Sequence, residues 1–114
     1  MENLIKVMKA LSDETRLRIL NVLSERECCV CEVMQALDVS QSRASRNLGI
    51  LQDAGFLKVR REGAWMYYAV NWETTDRGVA SFAGLLKVLF AGNEALAGDR
   101  ERLKKLGKVG QGCR

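Results

Sequence analysis

Residues 31–55 read CEVMQALDVSQSRASRNLGILQDAG, and this stretch has the pattern of two short helices joined by a tight turn. Apolar residues recur at helical spacing on both sides of Asp38-Val39, which form the turn. Ser40 is a favourable N-cap for the second helix, and Gly55 supplies a C-terminal stop. Two helices with so short a connection predict a helix-turn-helix.

Two β-prone runs follow the second helix. They are FLKVRR at residues 56–61 and AWMYYAV at residues 64–70, and Glu62-Gly63 between them is typical of a hairpin turn. A basic hairpin placed directly after the second helix predicts the wing of a winged helix. Within it we expect Trp65, Tyr67 and Tyr68 to pack in the hairpin core and not to stack on bases.

Further helices are predicted on both sides of this unit. Residues 3–11 carry apolar side chains at helical spacing, and a second helix begins after a cap at Ser12 or Asp13. A last helix, from about residue 75 to 95, carries one wide apolar stripe. The predicted order is therefore α-α-α-α-β-β-α, which is a mainly α fold with a small β-hairpin.

The length of the chain indicates a single structural domain. Its 114 residues suffice for a modest core, and 47% hydrophobic with 28% charged residues is ordinary for a globular protein. Glycine and charge dominate from Gly98 onward. We therefore predict a winged helix-turn-helix domain for DNA binding and dimerisation over residues 1–97. A basic, poorly ordered C-terminal tail is predicted over residues 98–114.

The composition also indicates where the protein works. Charged side chains occur throughout the first helix, so it is not a signal peptide, and no apolar run is long enough to span a membrane. These features predict a cytoplasmic protein without a membrane partner. Thiols are reduced in that compartment, so the cysteine cluster at residues 28–31 indicates metal or redox chemistry more than a structural disulfide.

Basic charge concentrates around the predicted second helix and hairpin. The net charge of the chain is +4, and residues 40–61 alone hold five basic side chains against one acidic. Focused basic charge is typical of a protein that binds a polyanion, although a solvated basic surface gives the same pattern. The residues predicted to contact DNA are Ser40, Gln41, Ser42, Arg43, Ser45, Arg46, Asn47, Lys58, Arg60 and Arg61. Short polar side chains at a helix N-terminus suit phosphates and base edges, and Arg suits guanine.

Several stretches together closely resemble the ArsR/SmtB family of metal-sensing repressors over roughly residues 3–90. They are LSDETRLRIL, CVCEV and SQSRASRNLGILQDAGFLKVRREGAWMYY. Within that family, ECCVCEV at residues 27–33 is similar to the arsenic-sensor motif Glu-Leu-Cys-Val-Cys-Asp-Leu. On this match Cys29 and Cys31 are the two motif thiols, and Cys28 stands in place of the leucine. Met34 stands where arsenic sensors of this type have a third cysteine.

The resemblance implies a homodimer that represses a resistance operon without any cofactor and leaves the DNA when As(III) or Sb(III) binds. Cys29 and Cys31 are then metal ligands. A thioether cannot become an anion, so the third thiolate would come from Cys28, with Cys113 as the alternative. Three sulfurs without histidine suit a soft metalloid ion. Residues 29 and 31 diverge by about 200° on a regular helix, so their joint ligation requires that the helix start be irregular or that it unwind.

The apolar faces of the first and last helices exceed what a small core can cover, which predicts a homodimer. The residues predicted at the dimer interface are Leu4, Val7, Met8, Phe82, Leu85, Leu86 and Leu89. Two alternatives stay within the cysteine chemistry: a sensor of another soft ion or of oxidants, and a small thiol redox enzyme. The enzyme is disfavoured because the chain has no Cys-x-x-Cys beside a βαβ unit, no phosphate-binding loop and no histidine. We therefore expect a protein that is not an enzyme.

Overall fold

The computed structural model describes residues 1–107 of the chain. Its elements are α1 (Glu2–Leu11), α2 (Glu14–Glu25), β1 (Cys28–Cys29), α3 (Val30–Leu37), α4 (Gln41–Asp53), β2 (Leu57–Glu62), β3 (Trp65–Val70), α5 (Arg77–Ala91), a 3-10 turn (Glu94–Leu96) and α6 (Ala97–Lys105). The predicted order of four helices, a hairpin and a further helix is confirmed. Strand β1, the 3-10 turn and α6 are additional to the prediction.

The helix-turn-helix consists of α3 and α4. Asp38 ends α3 in the left-handed conformation with φ of 56°, which Asp tolerates better than most residues. The Val39 N–H donates to the Met34 carbonyl at 3.2 Å across this turn. Ser40 then caps α4, because its hydroxyl accepts a hydrogen bond from the Arg43 N–H at 3.2 Å. The turn and the cap are both where the sequence predicted them.

The sheet is antiparallel, with strand order β1-β3-β2. The hairpin of β2 and β3 runs in register from Leu57 opposite Val70 to Glu62 opposite Trp65, and Gly63 adopts a φ of 61° in its turn. Strand β1 adds to the free edge of β3, so that the cysteine stretch is hydrogen-bonded to the wing. Two residues are too few to show the alternating pattern by which a strand is recognised in a sequence.

One apolar core joins α2, the helix-turn-helix and the inner face of the sheet. Its largest fully buried members include Ile19 from α2, Leu48 and Leu51 from α4, and Phe56 from the start of the hairpin. Val79 of α5 is buried against the same core. The position and tilt of α4 are therefore fixed by apolar packing on its inner side.

The prediction of a poorly ordered segment from Gly98 is wrong for residues 98–105, which belong to α6. The charges of this segment pair within the protein, and Asp99 and Leu103 are both buried. Arg102 Nε donates to the Ala36 carbonyl at 2.8 Å and its guanidinium pairs with Asp99. Residues 108–114, with Cys113, lie outside the described residues.

The last predicted helix is shorter than expected and is followed by a bend. α5 begins after Asp76, whose carboxylate accepts from the Val79 N–H at 3.0 Å, and it ends at Ala91 before Gly92. Within residues 1–107, no single helix is long and apolar enough to cross a membrane. Two consecutive helical segments, Arg77–Ala91 and Glu94–Lys105, have enough length and apolar character for a membrane span only when they are counted together, and a bend of 90° separates them.

Candidate nucleic-acid interface and thiol cleft

The outer face of α4 presents a dense set of polar and basic side chains. Six of the residues predicted to contact DNA are exposed there: Ser40, Gln41, Ser42, Arg43, Ser45 and Arg46. They occupy the N-terminal half of a helix of 13 residues, where unpaired N–H groups favour phosphate. The arrangement suits entry of the helix N-terminus into a groove of a nucleic acid.

Asn47 differs from these six because it is buried within the protein. Its Nδ2 donates to the Arg43 carbonyl at 2.9 Å, and its Oδ1 accepts from Arg16 Nη1 at 2.9 Å. The same Arg16 donates through Nε to the Ala10 carbonyl at 2.7 Å. The prediction that Asn47 faces DNA is therefore wrong, because helix α2 covers it. Asn47 instead connects α4 to α2 and to the end of α1.

The basic residues of the wing are partly neutralised by the protein itself. Lys58 pairs with Glu73 at 2.8 Å, and Arg60 pairs with both Glu27 and Glu62 at 2.6 Å. The Arg60 guanidinium lowers the pKa of the Glu27 carboxyl through their hydrogen bonds. Lys58, Arg60 and Arg61 are all exposed.

Arg61 and Arg60 lie in different surroundings on the wing. Arg61 Nη2 lies 4.0 Å from the Met66 sulfur. Arg60 stacks over the Tyr67 ring, with its guanidinium carbon 4.4 Å from the ring centroid. Tyr67 itself is buried, as predicted for the hairpin core. Arg61 thus contacts a sulfur, whereas Lys58 and Arg60 are paired with carboxylates.

The cysteines of the cluster face different sides of β1. Cys28 lies opposite Tyr68 and Cys29 lies opposite Tyr67, and successive residues of a strand point to opposite faces. Cys28 is fully buried in the apolar core, and its thiol donates to the Arg26 carbonyl at 3.6 Å. Burial raises the pKa of the Cys28 thiol to about 12. Cys28 therefore behaves as a small core residue in this structure.

Cys29 is the N-cap of α3 and has an extended backbone with φ of −81° and ψ of 167°. Its thiol lies 3.4 Å from Glu32 Oε1, and its N–H donates to the same oxygen at 3.1 Å. Glu32 is fully buried and also pairs with Arg26 at 3.2 Å. The helix start is thus irregular at Cys29, as joint ligation by Cys29 and Cys31 requires. Sequence reasoning missed Glu32, although a carboxylate three residues after a cap is the signature of a capping box.

Cys29 and Cys31 line one cleft of about 410 Å³, which we call the thiol cleft. It lies between α3, the first residue of α4 and the turn of the wing. Its lining residues are Cys29, Val30, Cys31, Met34, Gln41, Ala64, Trp65 and Met66. The Cys31 sulfur accepts a hydrogen bond from Gln35 Nε2 at 3.2 Å. Trp65 was predicted in the hairpin core, but 38% of it is exposed at the mouth of this cleft.

The described residues do not assemble three thiol ligands. No group of three or more His, Cys, Asp or Glu side chains within residues 1–107 is arranged to hold a metal ion. Cys28 points away from the thiol cleft into the core, so it would reach a ligand of Cys29 only if β1 left the sheet. Cys113 lies outside the described residues. The donors that share the cleft are two thiols, with the thioethers of Met34 and Met66 beside them.

The apolar residues predicted at a dimer interface divide into three groups. Leu4, Met8, Leu85 and Leu89 are exposed, while Phe82 and Leu86 are half-buried against the core. Val7 is only 3% exposed, so its prediction as an interface residue is wrong, because α1 turns it toward the core. Ile5 and Val88 were not predicted and are exposed beside the first group.

A helix-turn-helix with an exposed basic face, followed by a basic hairpin, defines a winged helix-turn-helix protein. The family model described as "Bacterial regulatory protein, arsR family" matches residues 13–59. Together with the sequence relatives below, this match shows that the chain belongs to the ArsR family of bacterial regulatory proteins.

Two relatives and one solved structure illustrate the similarity. The arsenic resistance transcriptional regulator ArsR1 of Pseudomonas putida KT2440 is 41% identical over 103 residues, which cover 90% of this chain and 78% of the relative. The arsenical resistance operon repressor of Escherichia coli K12 is 46% identical over 68 residues, 59% of this chain and 58% of the relative. The match thus spans less than two thirds of the E. coli protein. These relatives are transcriptional regulators and not enzymes, in agreement with the sequence-based expectation.

The structural match is to the homodimeric winged helix-turn-helix DNA-binding domain of Mb0332 from Mycobacterium bovis. It has a TM-score of 0.66 and 33% sequence identity, and it covers 77% of this chain and 78% of that chain. The agreement confirms the winged helix-turn-helix fold predicted from residues 31–70.

Proposed function

We propose that this protein is a metalloid-responsive transcriptional repressor that binds operator DNA as a homodimer and releases it when a trivalent arsenical or antimonial binds Cys29 and Cys31. The observation that carries the proposal is the position of the thiol cleft. Two thiols share one cleft with Gln41 at the start of α4 and with the turn of the wing. A ligand bound there contacts both DNA-reading elements. The names of the arsenic-resistance relatives support the same inducer.

DNA binding is assigned to α4 and the wing. The exposed serines and arginines at the start of α4 enter the major groove, where Arg43 reads a base edge and Arg46 binds phosphate. Arg61 follows the backbone from the wing. Binding to operator DNA places the protein in the cytoplasm, and repression by the free protein needs no cofactor.

Release is assigned to the N-terminal cap of α3. In the free protein the Cys29 thiol and N–H both donate to the buried carboxylate of Glu32. Ligation of Cys29 removes its thiol proton, so Glu32 loses one donor while it remains buried. A buried carboxylate that loses a hydrogen bond is destabilised by about 1–3 kcal/mol. The cap of α3 then loosens, and α3 is the helix against which α4 is packed.

DNA release measured by fluorescence anisotropy tests this function. The probe is a labelled duplex selected from a random pool by the free protein, and the inducer is arsenite or antimonite. Wild-type protein should release the duplex, whereas Cys29→Ser and Cys31→Ser should bind it and retain it. Cys28→Ala is the matched control, because its thiol lies on the other face of β1, and it should release DNA like the wild type.

Two results would contradict the proposal. Release by wild-type protein that persists in both Cys29→Ser and Cys31→Ser would place the inducer elsewhere. Release by cadmium or hydrogen peroxide, with none by arsenite or antimonite, would assign the same thiols to another soft ion or to oxidants.

A further inference from the structure

The number of thiols in the cleft bears on the chemical class of the inducer. Trivalent arsenic forms three bonds, and the resemblance to arsenic sensors predicted three protein thiolates for them. The structure presents two, because Cys28 belongs to the core face of β1 and Met34 occupies the third position of the motif. A thioether has no proton to exchange, so Met34 cannot replace a hydroxyl on arsenic. Cys113 lies outside the described residues, so among residues 1–107 one bond of the arsenic has to be satisfied by something other than a protein thiolate.

The lining of the cleft indicates what that group is. Around the two thiols, the wall consists of Val30, Met34, Ala64, Trp65 and Met66, and Gln41 is the other lining residue. A residual hydroxyl on arsenic would lie against this apolar wall and lose hydrogen bonds to water, which is unfavourable. A carbon substituent in the same position would instead remove apolar surface from water.

The dimensions of the cleft fit an organic substituent. Its volume of about 410 Å³ is larger than the roughly 150 Å³ of a protein cavity that binds benzene. Trp65 and Met66 are partly exposed at its mouth, although most large apolar side chains of the hairpin are covered. An aromatic ring and a thioether are surfaces on which a methyl or phenyl group packs well.

We propose that the thiol cleft is built for a monosubstituted organic arsenical, R–As(III), held by Cys29 and Cys31 with its organic group against Trp65, Met66 and Met34. This inference rests on the proposed function and narrows its ligand class. In the reaction R–As(OH)₂ exchanges both hydroxyls for the two thiols: two As–O bonds break and two As–S bonds form. The two thiol protons leave with the hydroxyls as two waters, and arsenic stays trivalent throughout.

The test compares phenylarsine oxide, which hydrates to phenylarsonous acid, with arsenite in the DNA-release assay. Any dithiol binds phenylarsine oxide, so each titration is run against dithiothreitol as a competitor and affinities are expressed relative to it. We expect wild-type protein to prefer the phenyl compound by about tenfold over arsenite on this relative scale. Trp65→Ala should reduce the affinity for the phenyl compound severalfold more than the affinity for arsenite. Mass spectrometry should show one phenylarsenic group per chain, bound to the peptide that contains Cys29 and Cys31.

A second variant tests the valence argument. Met34→Cys restores a thiol at the third motif position, so it should raise the sensitivity to arsenite by about tenfold and should not raise the sensitivity to phenylarsine oxide. Thr75→Cys is the matched control, since it adds an exposed thiol in the loop before α5 at a position that does not line the cleft. It should change neither response.

The outcomes separate this inference from the proposed function. If arsenite released the DNA at a lower relative concentration than phenylarsine oxide, and X-ray absorption showed three sulfurs around arsenic, the assignment of an organic ligand would be wrong. The proposed function would remain intact. An equal loss of both responses in Trp65→Ala would also overturn it. Failure of both arsenicals to release DNA from wild-type protein would overturn the proposed function itself.

Discussion

Asp99 of α6 accepts hydrogen bonds from Arg18 of α2 at 2.8 and 3.0 Å, although 81 positions separate the two residues in the sequence. Asp99 is buried, and its carboxylate contributes to a raised pKa of Arg18. Arg18 also donates to the Leu37 carbonyl at 2.7 Å, and Arg102 donates to that of Ala36. Arg18 of α2 and Arg102 of α6, both paired with Asp99, therefore each satisfy one of the last carbonyls of α3, so the C-terminal helix helps to hold the first helix of the helix-turn-helix.

Removing the Asp99 carboxylate should destabilise the whole domain. Asp99→Ala leaves Arg18 and Arg102 without their common acidic partner, so the free energy of unfolding should fall by about 3–5 kcal/mol. Urea denaturation measures this change. Glu101→Ala is the control, since Glu101 pairs with Lys104 on the exposed side of the same helix. It should lower stability by less than about 1 kcal/mol. Equal losses in the two variants would show that the buried pair has no special role.

The cysteines should differ sharply in their reactivity. The thiolate is the reactive form, and the pKa of Cys28 is raised to about 12, so at pH 8 only about one Cys28 thiol in ten thousand is ionised. Iodoacetamide should therefore modify Cys31 first in the folded protein and leave Cys28 unmodified. Peptide mass spectrometry after timed quenching measures both, and protein unfolded in urea is the control in which all thiols react. Alkylation of Cys28 as fast as Cys31 in the folded protein would contradict the core position of Cys28.

Arg43 and Asn47 should affect DNA binding in different ways. Arg43→Ala should weaken specific binding by about 1–3 kcal/mol without changing the melting temperature, because the side chain is exposed. Asn47→Ala removes the contact between α4 and Arg16, so it should lower the free energy of unfolding by about 1–2 kcal/mol and weaken binding to all sequences alike. Anisotropy on specific and scrambled duplexes, with a thermal melt, distinguishes the two. If Asn47→Ala weakened binding to the specific duplex only and left the stability of the protein unchanged, Asn47 would be a base-reading residue after all.

These residues also show how much the sequence could predict. The turn at Asp38 and the cap at Ser40 are local, since each depends on residues within five positions, and both were predicted correctly. Asn47 was assigned to DNA as a short polar residue near the start of the second helix, but its environment is set by Arg16, which is distant in the sequence. The same holds for Cys28, whose side is fixed by pairing with Tyr68, and for α6, whose charges found buried partners in α2 and α3. Contacts between residues that are distant in the sequence cannot be predicted from composition or periodicity.

The wing charges should contribute unequally to the salt dependence of DNA binding. Lys58 and Arg60 already have acidic partners within the protein, whereas Arg61 lies beside the Met66 sulfur. Arg61→Ala should therefore reduce the slope of log affinity against log salt by about one, and Lys58→Ala should reduce it by less. Anisotropy titrations across a series of salt concentrations give the slopes. A larger change for Lys58→Ala would mean that its pair with Glu73 opens when DNA binds.

The exposed apolar surface of α1 and α5 should form the dimer. Asn3 Nδ2 donates to Asp76 Oδ2 at 3.4 Å, which places the starts of the two helices side by side. On this surface Val88 is 71% exposed and Leu89 is 56% exposed, and together with the exposed Leu85 of the same helix they form an apolar patch of the kind that marks an interaction site. Two-fold pairing of such helices would also set the spacing of two α4 helices on successive turns of DNA.

Val88→Glu should therefore convert the protein to a monomer and remove tight operator binding. In an apolar two-fold interface the introduced carboxylate would lie close to the same carboxylate of the second subunit, and the two would repel each other. Sedimentation velocity measures the assembly, and anisotropy measures the loss of DNA binding. Gln52→Glu is the control, since it adds the same charge at an exposed site at the end of α4. It should leave the dimer intact. Wild-type protein that sediments as a monomer at micromolar concentration, or a Val88→Glu variant that stays dimeric, would assign this apolar surface to another partner.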